Sequence, residues 1–121
     1  MKKVLIPGSL LLGLCSPALG GPAQARIQCD PAGSKLVYDC RIALTDQALG
    51  TPVSKAEFTV LADMPSMPMA HNVRPVPAVE TETPGTYHAA LKLEMYGTWA
   101  IRLRISQPAP QQIDQKLDFF K

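Results

Sequence analysis

With 121 residues, 46% of them hydrophobic and 18% charged, the chain has the length and apolar content of one packed domain and is too apolar to be disordered. Twelve prolines and eight glycines exclude a bundle of long helices and favour short strands joined by turns. A formal charge of only +2 gives no basis for nucleic-acid binding.

Residues 1–25 read MKKVLIPGSLLLGLCSPALGGPAQA. Lys2 and Lys3 lead an apolar run over residues 4–14, and Ala23 and Ala25 occupy the −3 and −1 positions of an A-x-A site. This is the layout of a secretory signal peptide. The run is too short for a spanning helix and is broken by Pro7 and Gly8, so no membrane span is expected to be retained. Lipidation at Cys15 is disfavoured by the preceding triplet Leu12-Gly13-Leu14, which puts a bulky Leu directly before the cysteine where a small residue is wanted. Cleavage after Ala25 would leave a 96-residue domain, residues 26–121. Lys2 and Lys3 leave with the leader, so ten basic residues then balance ten acidic ones and net charge points to no partner. The expected destination is across the inner membrane, in the periplasm.

Cys29 and Cys40 are the two cysteines left after cleavage, flanking a turn signal at Asp30-Pro31-Ala32-Gly33. In an exported chain such a pair reads as a disulfide across a hairpin. Residues 35–44 alternate, with Leu36, Tyr38, Cys40, Ile42 and Leu44 on one face, which predicts a half-buried strand. Gly50 and Pro52 break the chain before a second alternating run over 53–62. Pro75 and Pro77 restrict residues 73–80 to a sheet edge. After a turn at Pro84-Gly85, residues 87–95 place Tyr87, Ala89, Leu91, Leu93 and Met95 on one face. Residues 98–106 do the same with Trp99, Ile101, Leu103 and Ile105, and the pair reads as a hairpin. The tail over 113–121 fits helix and strand comparably; context favours a closing strand. The expected fold is all-β, an immunoglobulin-like antiparallel β-sandwich of about six to seven strands after a cleaved signal peptide.

One segment stands apart. Residues 64–71 read MPSMPMAH and hold three of the five methionines. Thioether and imidazole are soft or borderline ligands that together suit Cu(I), and the interleaved prolines stiffen the backbone that carries them. Strand direction brings residue 95 to the same end, so the candidate metal set is Met64, Met67, Met69, His71 and Met95. His88 is placed at the opposite end as an exposed outward residue, and Trp99 as a core residue. The other reading is plain packing, with methionine filling the open end of a sandwich.

The run ADMPSMPMAHNV followed by PGTYHAALKLEMYGTW resembles the YtkA-like and FixH-like family of small exported β-domains, over about residues 29–106. Its strongest features are the MPSMPMAH run, Gly85-Thr86-Tyr87 and Met95-Tyr96-Gly97-Thr98-Trp99. The resemblance implies an immunoglobulin-type sandwich. The FixH branch is associated with assembly of copper-containing respiratory oxidases, which implies copper handling. FixH-type proteins keep an N-terminal membrane anchor, a departure that separates this chain from a direct part in oxidase assembly.

No catalytic constellation stands out. Ser66 lacks a nucleophile elbow, and Glu80 and Glu82 read as solvated turn residues. The expectation is a non-enzymatic, exported soluble protein that binds or delivers Cu(I), with a copper enzyme or envelope protein as partner. The alternative is a metal-free interaction module of the cell envelope.

Overall fold

A computed structural model describes residues 21–67 and 73–120. Among these, all regular structure is strand, and no helix is long and apolar enough to cross a membrane. In chain order the strands are β1 (Ala23–Pro31), β2 (Val37–Asp46), β3 (Glu57–Asp63), β4 (Val73–Pro77), β5 (Val79–Glu80), β6 (Thr86–Lys92), β7 (Gly97–Gln107) and β8 (Gln111–Phe119). They form two four-stranded antiparallel sheets, ordered β1-β2-β6-β5 and β4-β3-β7-β8. Both orders are those of an immunoglobulin-type sandwich with one added strand beside the central pair.

The period-two pattern explains which residues meet. Tyr38, Cys40, Ile42 and Leu44 from β2 and Tyr87, Ala89 and Leu91 from β6, with Leu93 just beyond it, are buried from one sheet. Phe58, Val60 and Ala62 from β3 and Trp99, Ile101, Leu103 and Ile105 from β7 are buried from the other. Full burial of each large apolar side chain contributes about 1.5–3 kcal/mol. Two edge-on aromatic pairs cross between the sheets: Tyr38 with Phe119 and Phe58 with Tyr87, each with ring centroids 4.8 Å apart. Neither side of the sandwich buries a polar side-chain atom without a partner among the described residues.

Several expectations need correction. The described strands number eight rather than six or seven, because residues 73–80 split at Ala78 into β4 and β5. Those two strands belong to different sheets, so the chain changes layers there. The runs over 87–95 and 98–106 do not form a hairpin: β6 and β7 lie in opposite sheets, and residues 93–96 cross between them. Alternation shows that a strand has one buried face but says nothing about its neighbour. The run over 53–62 becomes strand only at Glu57, and the tail is a strand, paired from Ile105↔Gln111 to Gly97↔Phe119.

The disulfide is present. Cys29 and Cys40 lie directly opposite each other on β1 and β2. The hairpin between them turns through Gly33, with the Ala32 N–H donating to the carbonyl of Val37 at 2.9 Å. Residues 23–25, read as the end of the leader, are the first three residues of β1.

Candidate functional site

Strand directions set the geometry. β3 ends at Asp63 and β7 starts at Gly97, with Asp63 paired to Ala100. In the other sheet Val37 pairs with Lys92, and the Leu93 N–H donates to the carbonyl of Leu36 at 2.9 Å. The 32–36 turn, the start of the methionine-proline segment and residues 93–96 therefore share one end of the sandwich.

Met64 follows β3 directly. Its carbonyl accepts the N–H of Met67 at 2.9 Å, closing a turn whose second residue is Pro65. Proline fixes the backbone angle that this position of a β-turn requires. Met64 is 4% exposed and belongs to the core, and its terminal methyl packs over Gly97. Met67 turns outward and is 41% exposed.

Met95 arrives at the same end from the other sheet. The inward parity that began at Tyr87 stops at Leu93, so Met95 is 37% exposed instead of buried. Its carbonyl accepts the indole N–H of Trp99 at 3.1 Å. Trp99 is completely buried, as expected of a core tryptophan, and this bond ties the 93–96 turn to the core. Its positioning of Met95 was missed in the sequence, because the donor and acceptor belong to a turn whose shape alternation does not encode.

Met69 and His71 lie outside the described residues. The structure thus brings Met64, Met67 and Met95 to one end, with one side chain inward and two outward. Among the described residues no three His, Cys, Asp or Glu side chains gather as a metal site. Cys29 and Cys40 are bonded to each other, so neither offers a thiolate.

Next to this end a cleft of about 720 Å³ opens between β4 and β6. Leu36, Val73, Val76 and Leu93 give it apolar walls, and Lys35, Arg74 and Lys92 bring positive charge. His88 does not line it. It pairs with Arg41 and Val79 across the sheet, is half exposed, and has Nδ1 3.8 Å from Oδ1 of Asp39.

Glu80 departs from the reading of a solvated turn residue. Its Oε1 accepts the Lys55 N–H at 3.0 Å, and its Oε2 accepts the Gly85 N–H at 2.9 Å and the Ser54 hydroxyl at 3.0 Å. These bonds, the one from Gly85 first, hold its carboxyl below the usual range against an opposing desolvation. The role is structural: one carboxylate fastens two loops at the end opposite the methionines.

No curated protein and no solved structure matches the chain. A family match does cover residues 31–104, from the end of β1 through most of β7. It takes in the methionine-proline segment, the 93–96 turn and the buried faces of β2, β3 and β6, so the likeness extends over both the core and the candidate site. The chain belongs to the YtkA-like family.

Proposed function

We propose that this protein is an exported β-sandwich that binds Cu(I) at its methionine-bearing end and passes it to a copper enzyme or envelope partner, without catalysing a reaction itself. The observation that carries the reading is the meeting of two chain segments. Met64 and Met67 lead into the sequence that holds Met69 and His71, and Met95 comes to the same end from the other sheet. Thioethers need lose no proton to bind a soft cation, and neutral imidazole binds as it stands. The exposed Met67 and Met95 suit a shallow site from which an ion can be handed on. Buried Met64 forms the floor against Gly97. With both domain cysteines in a disulfide, sulfur ligation falls to methionine. The signal-peptide layout supports placement in the periplasm.

The test is titration of the purified domain with Cu(I) against a competing chelator. One equivalent is expected to bind, and the Met67→Leu/Met69→Leu and His71→Ala variants are expected to lose most of the affinity. No binding above background overturns the reading.

A second reading has its own support. Met67 and Met95 are among the exposed large apolar residues, and they neighbour a cleft with apolar walls. An interaction module would use that surface for a protein contact and need no metal. Met67→Leu/Met69→Leu would then preserve partner capture while Met67→Asp abolished it.

A further inference from the structure

The fold holds residues ahead of Arg26 firmly. The Gly21 N–H donates to Oδ1 of Asp46 at 3.1 Å, and the Gln47 N–H donates to the carbonyl of Pro22 at 2.8 Å. The Gln111 side-chain amide clasps Ala23 from the other sheet. Its Oε1 accepts the Ala23 N–H at 2.9 Å and its Nε2 donates to the Ala23 carbonyl at 2.6 Å. Ala23, Gln24 and Ala25 pair with Asp46, Thr45 and Leu44, and both alanines pack against the core. A cut after Ala25 removes every one of these contacts. It also strips both hydrogen bonds between Ala23 of β1 and the Gln111 side chain of β8 in the other sheet.

Leader peptidases need small residues at −3 and −1. The sequence meets that need a second time at Ala18-Leu19-Gly20, five residues earlier and closer to the apolar run. Ser16-Pro17-Ala18 and Gly21-Pro22-Ala23 also qualify. The second of these sacrifices the Gly21 and Pro22 bonds and the Ala23 partner of Gln111. The first leaves Leu19 and Gly20 ahead of Gly21, so that Asp46 would meet an amide N–H and not a charged chain end.

We propose that the leader is cleaved between Gly20 and Gly21, so that the mature chain opens with the α-ammonium of Gly21 on the carboxylate of Asp46. Water adds across the Gly20–Gly21 amide. The C–N bond breaks, the hydroxyl stays with the Gly20 carbonyl carbon, and the Gly21 nitrogen takes the proton. The Asp46 carboxylate is held in place to meet it, because the same Oδ1 also accepts the N–H groups of Ala48 and Leu49 at 2.9 Å each. The new terminus thus turns a hydrogen bond from an amide into one from a full positive charge, which is the stronger kind. The close seat of Gly21 fits a chain end with no side chain: a β-carbon there would lie 3.0 Å from the β-carbon of Ala48.

The inference rests on the export reading, and one experiment separates the two. The full chain, leader included, is expressed in a Gram-negative host, and the product in the periplasmic fraction is analysed by intact mass and N-terminal sequencing. The expected product starts Gly21-Pro22-Ala23. A start at Leu19, Gln24 or Arg26 overturns this inference and leaves export standing. One acylated at Cys15 likewise overturns this inference alone, and an uncleaved chain retained in the cytoplasm overturns both. Two chains made directly, starting at Gly21 and at Arg26, give a second measurement. With these hydrogen bonds lost, the shorter chain is expected to melt at least about 5 °C lower. Equal melting temperatures overturn the inference. Asp46→Asn is expected to lower the melting temperature of the Gly21 chain at pH 7 by more than that of the Arg26 chain, and equal shifts count against the ammonium–carboxylate pair.

Discussion

The terminal methyl of Met64 lies 2.6 Å from the point where a β-carbon on Gly97 would stand. Gly97 holds φ at 147°, a backbone region that L side chains rarely adopt. Gly97→Ala therefore meets two obstacles, a methyl to displace and a strained backbone. The expected loss is about 1–3 kcal/mol by urea denaturation. Adding Met64→Ala frees the space, so the double variant should lose less than the two single losses combined. Strict additivity would show that the methyl is not what excludes a side chain at 97. Met64→Leu keeps the volume and should cost under about 1.5 kcal/mol, which makes it the cleaner variant for asking whether the sulfur binds copper.

The second prediction concerns the Cys29–Cys40 bridge, which links residues 11 apart on adjacent strands. Removing it frees the unfolded chain, worth on the order of 2–3 kcal/mol for a loop this short. Cys40 is completely buried, so alanine is a better replacement than serine, whose hydroxyl would need a partner. The Cys29→Ala/Cys40→Ala variant and the reduced wild type should unfold at similar denaturant concentrations, both well below the oxidised protein. If reduction leaves the midpoint unmoved, the bridge contributes nothing to stability.

The alternating runs around Tyr38, Val60, Leu91 and Leu103 carried their buried faces openly, because a strand shows its core side every second residue. What they did not carry was the identity of the neighbouring strand. Leu93 and Trp99 looked like facing halves of a hairpin, yet the chain between them steps from one sheet to the other. The prolines at 75 and 77 correctly marked an edge, but the change of layer at Ala78 depends on packing across the sandwich. At the candidate site, chain direction was enough to bring Met95 to the end occupied by Met64 and Met67. It was not enough to say which sulfur faces inward. That is decided by the space above Gly97 and by the indole bond to the Met95 carbonyl, both set by tertiary contacts.

Tyr87 offers a third prediction. Its hydroxyl donates to the carbonyl of Val53 at 2.7 Å and accepts the N–H of Ala56 at 2.8 Å, so one phenol from β6 holds the loop that enters β3. Burial pushes its pKa up and keeps the donor proton in place. Tyr87→Phe preserves the ring and its edge-on contact with Phe58 but abandons both backbone groups. The expected loss is about 1–3 kcal/mol, with the fold intact by circular dichroism. Hydrogen exchange at the Ala56 amide should quicken more than exchange at Val60 in the middle of β3. Uniform quickening along the strand would mean that the hydroxyl supports the whole fold, not this loop.

The fourth prediction is a dependence on acid. The Gly85, Lys55 and Ser54 donors hold the Glu80 carboxyl below its ordinary pKa in the folded protein. A lowered folded pKa stabilises the fold above the unfolded value, about 4.3 for glutamate, and that contribution fades as pH falls through the lower folded one. Protonation would place a hydrogen on an oxygen that already faces donors. Melting temperatures of the wild type should therefore hold near neutrality and decline below about pH 4.3. Glu80→Gln should start lower at pH 7, and its deficit should shrink as the wild type becomes protonated. A slope will persist in the variant, because Asp46 is also held low, first by the Leu49 N–H and then by that of Gly21. A deficit that stays constant from pH 7 to pH 3 would show that the Glu80 charge plays no part in fastening the two loops.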